Sequence, residues 1–349
     1  MKHNSMLASL AALVLVLALL AGCAAPAPQQ TAAPIGTQEP STTPAATEKP
    51  AQRAALKITA LKGPTGMGFV QLMKEDEEGK TAVDYDITLS SAPDEISGKI
   101  ITGEADIAAA PINLAAALYN KTQGDVAIIA VNTFGVLYIL ENGDQVKNVA
   151  DLSGKTLYAT GQGATPEFIL NYLLEKNGIA GKVDIKYMAD HTELATLLAA
   201  GEGGVSLAML PEPNATASLL KNSALRVALD LTEEWNKVSG GTQLVQGCLI
   251  ARREVIQNNP DAVKAFLQEY AASTSFVNEK PEEAAALIEQ YGIMASAAAA
   301  KAAIPNCNIV CVTGPDMQAD ALAMLQVLYN ADPKSVGGKL PGEDFYYLP

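Results

Sequence analysis

Histidine is scarce in this 349-residue chain, and the catalytic motifs that contain it are missing. Of the two histidines, His3 lies in an apolar leader, so only His191 remains for the body of the protein. The sequence has no His-Glu-x-x-His and no Gly-x-Ser-x-Gly motif, which removes the familiar signatures of zinc proteases and α/β-hydrolases. Asp190 and Glu193 flank His191 in the pattern of an N-cap and its N3 partner, which predicts an exposed helix start. We predict no catalytic residue, no metal and no cofactor.

Positive charge is also in short supply. The chain carries 24 Lys and Arg residues against 38 Asp and Glu residues, a formal net charge of −14. A surface with this balance repels phosphate groups, so it does not favour binding to nucleic acid or to anionic lipid. We therefore predict no nucleic-acid partner.

Only four cysteines are present. Cys23 ends the apolar leader, which leaves Cys248, Cys307 and Cys311, an odd number that cannot pair completely within the chain. The segment around Cys307 and Cys311 looks extended, and four strand residues span about 13 Å, beyond the reach of a disulfide. We predict that all three pack in the interior, with a bridge or a metal site as the alternative.

No apolar run is long enough to cross a bilayer. The run from Leu7 to Leu20 has about 14 residues, whereas a membrane-spanning helix needs about 20. Lys2 precedes this run and Leu20-Ala21-Gly22-Cys23 ends it, which is the pattern of a lipoprotein signal peptide with its lipobox. We predict that residues 1–22 are removed and that Cys23 is lipidated, with palmitate among its acyl chains. The protein would then be lipid-anchored to the cell membrane, facing the extracellular or periplasmic side.

Residues 23–55 are mostly Ala, Pro, Thr and Gln, with no hydrophobic period. Such a segment cannot bury enough apolar surface to offset its ordering entropy, so it is predicted to be a disordered tether. The body begins near Leu56 and has about 294 residues, enough for two hydrophobic cores.

From Leu56 to Ala251, short β-like runs alternate with helical ones, which predicts an α/β fold with mainly parallel strands. After Arg252 the pattern becomes helical. The segment from Ile100 to Pro111 is echoed by the segment from Leu197 to Pro211: each reads as a helix end, a Gly-Glu turn, a buried strand and a proline. One such repeat, about 100 residues apart, indicates two lobes of similar construction and not a solenoid.

Several segments, in this order, resemble the solute-binding proteins of ABC importers, in the group that includes nitrate, sulfonate, taurine and thiamine-precursor binders (NMT1/THI5-like). They are Asp151-Leu152-Ser153-Gly154-Lys155-Thr156, Leu197 to Gly201, Leu210-Pro211-Glu212-Pro213, Leu249 to Glu254 and Asn259 to Leu267.

The resemblance implies a two-lobe periplasmic-binding-protein type II fold with a crossover-strand hinge. Lobe one would span residues 56–150, lobe two residues 151–250, and residues 251–349 would return to lobe one. It also implies a monomer that captures one small-molecule solute between the lobes and delivers it to an ABC permease in the membrane. The alternative is an enzyme on the same fold, such as a chorismate dehydratase.

The candidate ligand-binding residues follow buried strands, because ligands of open α/β sheets lie where strands end and helices begin. In the first such loop, the glycines allow close backbone approach, Thr65 offers a hydroxyl and Lys62 a charge. Helix capping remains an alternative role for Asn113 and Thr165. The predicted residues are Lys62, Thr65, Gly66, Met67, Pro111, Asn113, Asn132, Thr133, Gln162, Gly163, Thr165 and Glu212.

The charge of the solute stays open at this stage. The resemblance favours an anion such as a sulfonate, but the proposed loops contain Lys62 and no arginine. Arginine is the residue suited to bidentate recognition of an oxyanion. A neutral or heteroaromatic solute, bound by backbone, Thr and Asn groups, is the second reading.

The lipid anchor gives the first testable prediction. Cys23→Ala should abolish labelling with an alkyne analogue of palmitate, without unfolding the body, because the sulfur of Cys23 carries the only acyl anchor. Cys311→Ala is the matched control and should label like the wild type. The unprocessed Cys23→Ala protein can stay at the membrane through its leader, so labelling decides, and retained label in this variant contradicts the prediction.

Overall fold

The computed structural model describes residues 53–348. The predicted signal peptide, Cys23 and residues 24–52 of the predicted tether lie outside this range. Arg53 Nη1 donates a 2.8 Å hydrogen bond to the Thr81 carbonyl and Ala55 opens the first strand, so regular structure starts just before the boundary predicted at residue 55. None of the helices in the described range is long and apolar enough to cross a membrane.

The strands of the described residues form two β-sheets. In chain order they are β1 (Ala55–Leu61), β2 (Asp84–Ser90), β3 (Ile107–Pro111), β4 (Val126–Thr133), β5 (Leu137–Asn142), β6 (Thr156–Thr160), β7 (Asp184–Met188), β8 (Leu207–Pro211), β9 (Leu225–Asp230), β10 (Gly247–Arg252) and β11 (Ile309–Val312). The first sheet has the order β11-β4-β10-β3-β1-β2, and the second has the order β7-β6-β8-β5-β9.

Helices cover the sheets and form most of the C-terminal region. They are α1 (Pro64–Met67), α2 (Val70–Glu77), α3 (Pro93–Thr102), α4 (Ile112–Lys121), α5 (Thr165–Lys176), α6 (His191–Ala200), α7 (Asn214–Lys221), α8 (Leu231–Val238), α9 (Arg253–Asn258), α10 (Pro260–Glu279), α11 (Pro281–Gln290), α12 (Ala297–Ala303) and α13 (Gly314–Ala331). Short 3₁₀ turns lie at Val149–Leu152, Ile304–Asn306, Pro333–Val336 and Glu343–Phe345.

Strand direction separates two kinds of pairing. β1 runs parallel to β2 and β3, and β6 runs parallel to β7 and β8, as strand-helix-strand units require. β10 lies antiparallel between β3 and β4, and β5 lies antiparallel between β8 and β9. At the edge of the first sheet, β11 lies antiparallel to β4. The prediction of mainly parallel strands therefore fails at β11 and at the two strands that enter a sheet after the chain has crossed from the other one.

The chain passes from one sheet to the other earlier than the lobe boundaries predicted at 150/151 and 250/251. β5 already belongs to the second sheet, so the chain leaves the first sheet after Thr133. β10 belongs to the first sheet, so the chain has returned by Gly247. Local sequence pattern predicts that a strand exists but not which strand it pairs with, and both boundaries were misplaced for that reason.

Aromatic packing joins the C-terminal helices to the first sheet. The ring of Tyr270 in α10 lies with its centroid 4.7 Å from Phe69 and 5.8 Å from Phe266. All three side chains are fully buried. A second apolar cluster extends through both sheets and includes Trp235 of α8 and Leu325 of α13. The core is therefore continuous from one lobe to the other on the side of α13.

The three cysteines of the described residues are free. Cys248 and Cys307 are buried as predicted, and Cys311 is half-buried; burial raises the pKa of the Cys311 thiol to about 11. The extended conformation predicted around Cys307 is wrong at its start, because Ile304–Asn306 forms a 3₁₀ turn and only Ile309–Val312 is a strand. Within residues 53–348, no group of three or more His, Cys, Asp or Glu side chains could hold a metal ion.

Candidate functional site

A cavity of about 350 Å³, here called the cleft cavity, lies between the two sheets. It borders the carboxyl ends of parallel strands, the edge at which ligands bind in open α/β sheets. Thr133 ends β4 on the side of the first sheet, and Thr165 begins α5 after β6 on the side of the second. The lining residues are Pro64, Thr65, Pro93, Pro111, Asn113, Leu114, Thr133, Val136, Ala164, Thr165, Pro166 and Gln246.

The structure brings five of the twelve predicted ligand-binding residues to this cavity. They are Thr65, Pro111, Asn113, Thr133 and Thr165. They follow four different strands and belong to both lobes. Loops that join strands to helices lie at the same edge of a sheet, which explains why these residues lie close together. Their contact with a solute remains a prediction.

Four helices begin at the cleft cavity: α1, α3, α4 and α5. Pro64, Pro93 and Pro166 each occupy one of the first two positions of a helix, and Pro111 occupies the N-cap position of α4. Proline fits a helix start because its φ is already helical and it has no N–H to leave unsatisfied. At these points a pyrrolidine ring stands in place of a free backbone donor, so the wall is unusually apolar for a meeting of helix N-termini.

A hydrogen bond joins the two lobes across the cleft. Thr165 Oγ1 in α5 donates to Asn113 Oδ1 in α4 over 3.1 Å. Neither side chain caps its helix, since Ala164 is the N-cap of α5, Pro111 is the N-cap of α4, and neither cap makes a side-chain hydrogen bond. The capping role considered as the alternative for Asn113 and Thr165 is therefore wrong, and the Thr165 hydroxyl serves the contact between lobes.

Asn132 lies beneath the cleft cavity and not on its wall. The side chain is fully buried, and Nδ2 donates to the Thr65 carbonyl and to the Tyr270 hydroxyl, each over 3.3 Å. Its Oδ1 accepts a 3.3 Å hydrogen bond from Thr133 Oγ1. Asn132 thereby ties the first loop and α10 to the end of β4, which is a positioning role.

The rest of the first loop faces away from the cleft cavity. Lys62 is exposed to solvent, and Met67 is fully buried among the C-terminal helices. The Gly66 N–H donates to the Gly63 carbonyl over 3.0 Å, so it is not free to bind a solute. A Cβ at Gly66 would lie 2.5 Å from the Leu61 carbonyl oxygen, and this close approach of the loop to its own strand accounts for the glycine.

Three predicted residues of lobe two lie outside the cavity wall. Gln162 and Gly163 are exposed, and the Gly163 N–H donates to Glu167 Oε2 over 2.5 Å. Glu212 is buried and accepts hydrogen bonds from Thr216, over 3.2 Å from the backbone N–H and 2.8 Å from Oγ1. Burial raises the pKa of Glu212, although both hydrogen bonds oppose the rise.

His191 is half-buried, contrary to the prediction that it is exposed. Its Nδ1 lies 2.5 Å from Oγ1 of the fully buried Thr160 at the end of β6. Burial lowers the pKa of His191, and the nearby Asp190 carboxylate opposes the shift. The predicted helix start is confirmed, because Asp190 Oδ1 accepts a 2.7 Å hydrogen bond from the Glu193 N–H.

Seven lining residues were not predicted. Pro93 could have been, because Ala92-Pro93 after β2 repeats the strand-to-helix pattern seen at Pro64 and Pro166. Val136 and Gln246 could not have been predicted. They lie in the segments that connect one sheet to the other, which contain no repeated pattern and no catalytic or metal-binding motif. The others are Pro64, Leu114, Ala164 and Pro166, apolar residues at helix starts.

The described wall of the cleft cavity carries no charged side chain. Its polar groups are three threonine hydroxyls and the amides of Asn113 and Gln246. A larger cavity of about 610 Å³ runs along α5 and α13 and is lined by charged groups including Glu167, Glu175 and Lys176. That cavity touches one strand-to-helix loop, at the predicted residue Gly163, and otherwise follows the length of α5 and α13. The cleft cavity borders several strand ends and is therefore the better candidate for a solute site.

Comparison with solved structures identifies the fold. An ABC transporter protein from Parabacteroides distasonis is 24% identical, with a TM-score of 0.72, over 84% of this chain and 99% of that chain. The periplasmic aliphatic sulphonate binding protein SsuA from Escherichia coli is 17% identical, with a TM-score of 0.67, over 84% of this chain and 92% of that one. The alkanesulfonate-binding protein SsuA from Xanthomonas axonopodis pv. citri, bound to MOPS, is 15% identical, with a TM-score of 0.59, over 84% and 96%.

These likenesses confirm the predicted class, a two-lobed α/β fold of the periplasmic-binding-protein type II. The family model described as NMT1/THI5 like matches residues 80–284, more than half of the chain, and the protein belongs to this family. Among curated proteins, none matches the chain.

The positioning role of Asn132 gives the second prediction. Asn132→Asp should lower the free energy of unfolding by about 2 kcal/mol or more at neutral pH, because it removes both N–H donors and buries a carboxylate beside the Thr65 carbonyl. The loss should shrink on acidification, since a protonated Asp is neutral and can donate one hydrogen bond. Urea unfolding at two pH values measures both effects, with the exposed Asn171→Asp in α5 as the control. Full stability of Asn132→Asp at neutral pH contradicts the positioning role.

Proposed function

We propose that this protein is the extracytoplasmic solute-binding component of an ABC importer and that it captures one small solute in the cleft cavity. The position of the cavity carries the proposal: it lies between two sheets joined by crossing segments, and the bond between Thr165 and Asn113 links the two lobes beside it. The structural neighbours, which include an aliphatic sulphonate binding protein and an alkanesulfonate-binding protein, support the same class.

The chemistry of the wall favours an uncharged solute over a sulfonate. A buried anion needs a cationic partner or several free N–H donors, and arginine supplies both most effectively. The described wall contains no cation, prolines occupy the helix starts, and Lys62 is exposed outside it. The volume of about 350 Å³ lies at the lower end of the range for small-molecule sites, so the solute is compact.

Closure of the lobes would couple binding to transport. A solute that contacts both Thr165 and Asn113 binds the closed form better than the open form, because the two residues belong to different lobes. The closed form then presents both lobes to the permease in a fixed arrangement. No bond in the solute is made or broken in this scheme.

An enzyme on the same fold, such as a chorismate dehydratase, is less well supported. Elimination chemistry needs a general acid or base within reach of the substrate, and a dicarboxylate substrate needs cations. The polar groups on the described wall are hydroxyls and amides, which titrate far from neutral pH.

We further propose that a lipid on Cys23, with palmitate among its acyl chains, anchors the protein to the cell membrane on its extracellular or periplasmic side. The lipobox at residues 20–23 and the Ala- and Pro-rich residues that follow it support this arrangement. In this proposal the protein acts as a monomer, with the permease in the membrane as its partner.

Native mass spectrometry with a blocked cavity tests the proposed function. Ala164 has an extended backbone and lines the cleft cavity, so Ala164→Phe should place a phenyl ring in the cavity without backbone strain. Wild-type protein purified without denaturation should carry one small neutral molecule per chain, and Ala164→Phe should carry none. The control is Ala180→Phe, at an exposed turn of the same lobe, which should carry the molecule as the wild type does. Equal occupancy in folded Ala164→Phe places the site elsewhere.

A further inference from the structure

The amide of Gln246 is a buried donor without an acceptor. Gln246 lines the cleft cavity, its Nε2 is closed to solvent, and no group in residues 53–348 accepts a hydrogen bond from it. Leaving a buried N–H unpaired costs about 1–3 kcal/mol, so folded proteins rarely keep such a group without a purpose. A turn of the amide that brings Nε2 to the cavity wall, where a solute supplies an acceptor, would remove this cost.

The backbone of Gln246 is held from two sides. Its N–H donates to the Thr133 carbonyl, and its carbonyl accepts from the Ile112 N–H, each over 3.0 Å. The next residue, Gly247, has no room for a side chain, because a Cβ there would lie 2.6 Å from Asn132 Oδ1 and 2.7 Å from Thr65 Cγ2. The segment therefore cannot shift easily to give the amide of Gln246 an internal partner.

Each threonine hydroxyl on the wall already donates its proton to a hydrogen bond within the protein. Thr65 Oγ1 donates to the Leu61 carbonyl over 3.3 Å, Thr133 Oγ1 to Asn132 over 3.3 Å, and Thr165 Oγ1 to Asn113 over 3.1 Å. Toward the cavity these hydroxyls can only accept hydrogen bonds. Asn113 uses its Oδ1 for Thr165, and in the described residues its Nδ2 has no acceptor, so Nδ2 is a second free donor.

We propose that the cleft cavity recognises an uncharged, compact molecule with a carbonyl oxygen of the amide or lactam type, and that Gln246 Nε2 is the principal donor to that oxygen. Asn113 Nδ2 is the second donor, and a threonine hydroxyl accepts from the N–H of the amide. This assignment rests on the proposed function and names the chemical class of solute for the same site. Gln246 thus selects a solute that presents a hydrogen-bond acceptor over one that presents a donor or a charge.

Isothermal titration of the full-length protein with three probes of similar size tests the assignment. The probes are ε-caprolactam, which is a neutral amide, cyclohexanecarboxylate, which is an anion, and cyclohexylammonium, which is a cation. The lactam should bind the wild type more tightly than either ion does. Its affinity should stay the same at low and high salt, because no ion pair is formed.

Variants of Gln246 locate the donor. Gln246→Glu keeps the shape but faces the carbonyl with a carboxylate, and it should weaken lactam binding at least about 10-fold. Gln246→Met keeps the length without a donor and should weaken binding roughly 3- to 10-fold. Gln290→Glu makes the same charge change at an exposed position of α11 and should bind like the wild type. Circular dichroism confirms that each variant is folded.

The outcomes separate this inference from the proposed function. Lactam binding that is unchanged in both Gln246 variants overturns the role of Gln246, and preferential binding of the carboxylate or the ammonium ion overturns the solute class. In either case the cleft cavity remains a solute site. A wild type that binds none of the three probes and carries no small molecule overturns both proposals.

Discussion

The hydrogen bonds that insert β10 between β3 and β4 fix the position of the groups around the cleft cavity. Because β10 runs antiparallel to its neighbours, its first residues lie at the same edge of the sheet as the ends of β3 and β4. Gln246, just before β10, is thereby bonded to Thr133, and Gly247 packs against Thr65. In the second sheet, β5 is inserted in the same way, antiparallel between β8 and β9. A change that loosens either inserted strand would therefore disturb the hinge and the site together.

The helix starts that meet at the cleft cavity account for its apolar wall and supply the residues that bond the two lobes. Four helices start at the cavity, and prolines at those starts remove backbone donors that an anion would use. The threonine hydroxyls are turned toward the protein, one of them across the cleft to Asn113. In the proposed function, a small set of amide N–H groups in an apolar wall remains for a solute, and such a site would select by shape and hydrogen-bond direction and not by charge.

Local pattern predicted much of the fold from the sequence, because short apolar strands alternate with helices along most of the chain. The repeat ending at Pro111 and Pro211 indicated two similar lobes, and its two predicted buried strands are β3 and β8. Strand partners were not predictable in this way, so β5 was assigned to the wrong lobe. In the site, Thr65 and Thr133 followed from their places at strand ends, whereas Gln246 lies in a crossing segment that carries no motif.

Small-angle X-ray scattering on the folded body, residues 53–349, tests the central claim that a solute in the cleft cavity draws two lobes together. The copurifying molecule would be removed by dialysis and then returned at saturating concentration. The account predicts a larger radius of gyration without the molecule and a smaller one with it, with the second profile matching the structure in which Thr165 bonds to Asn113. Identical scattering in the two states contradicts closure around a solute at this site.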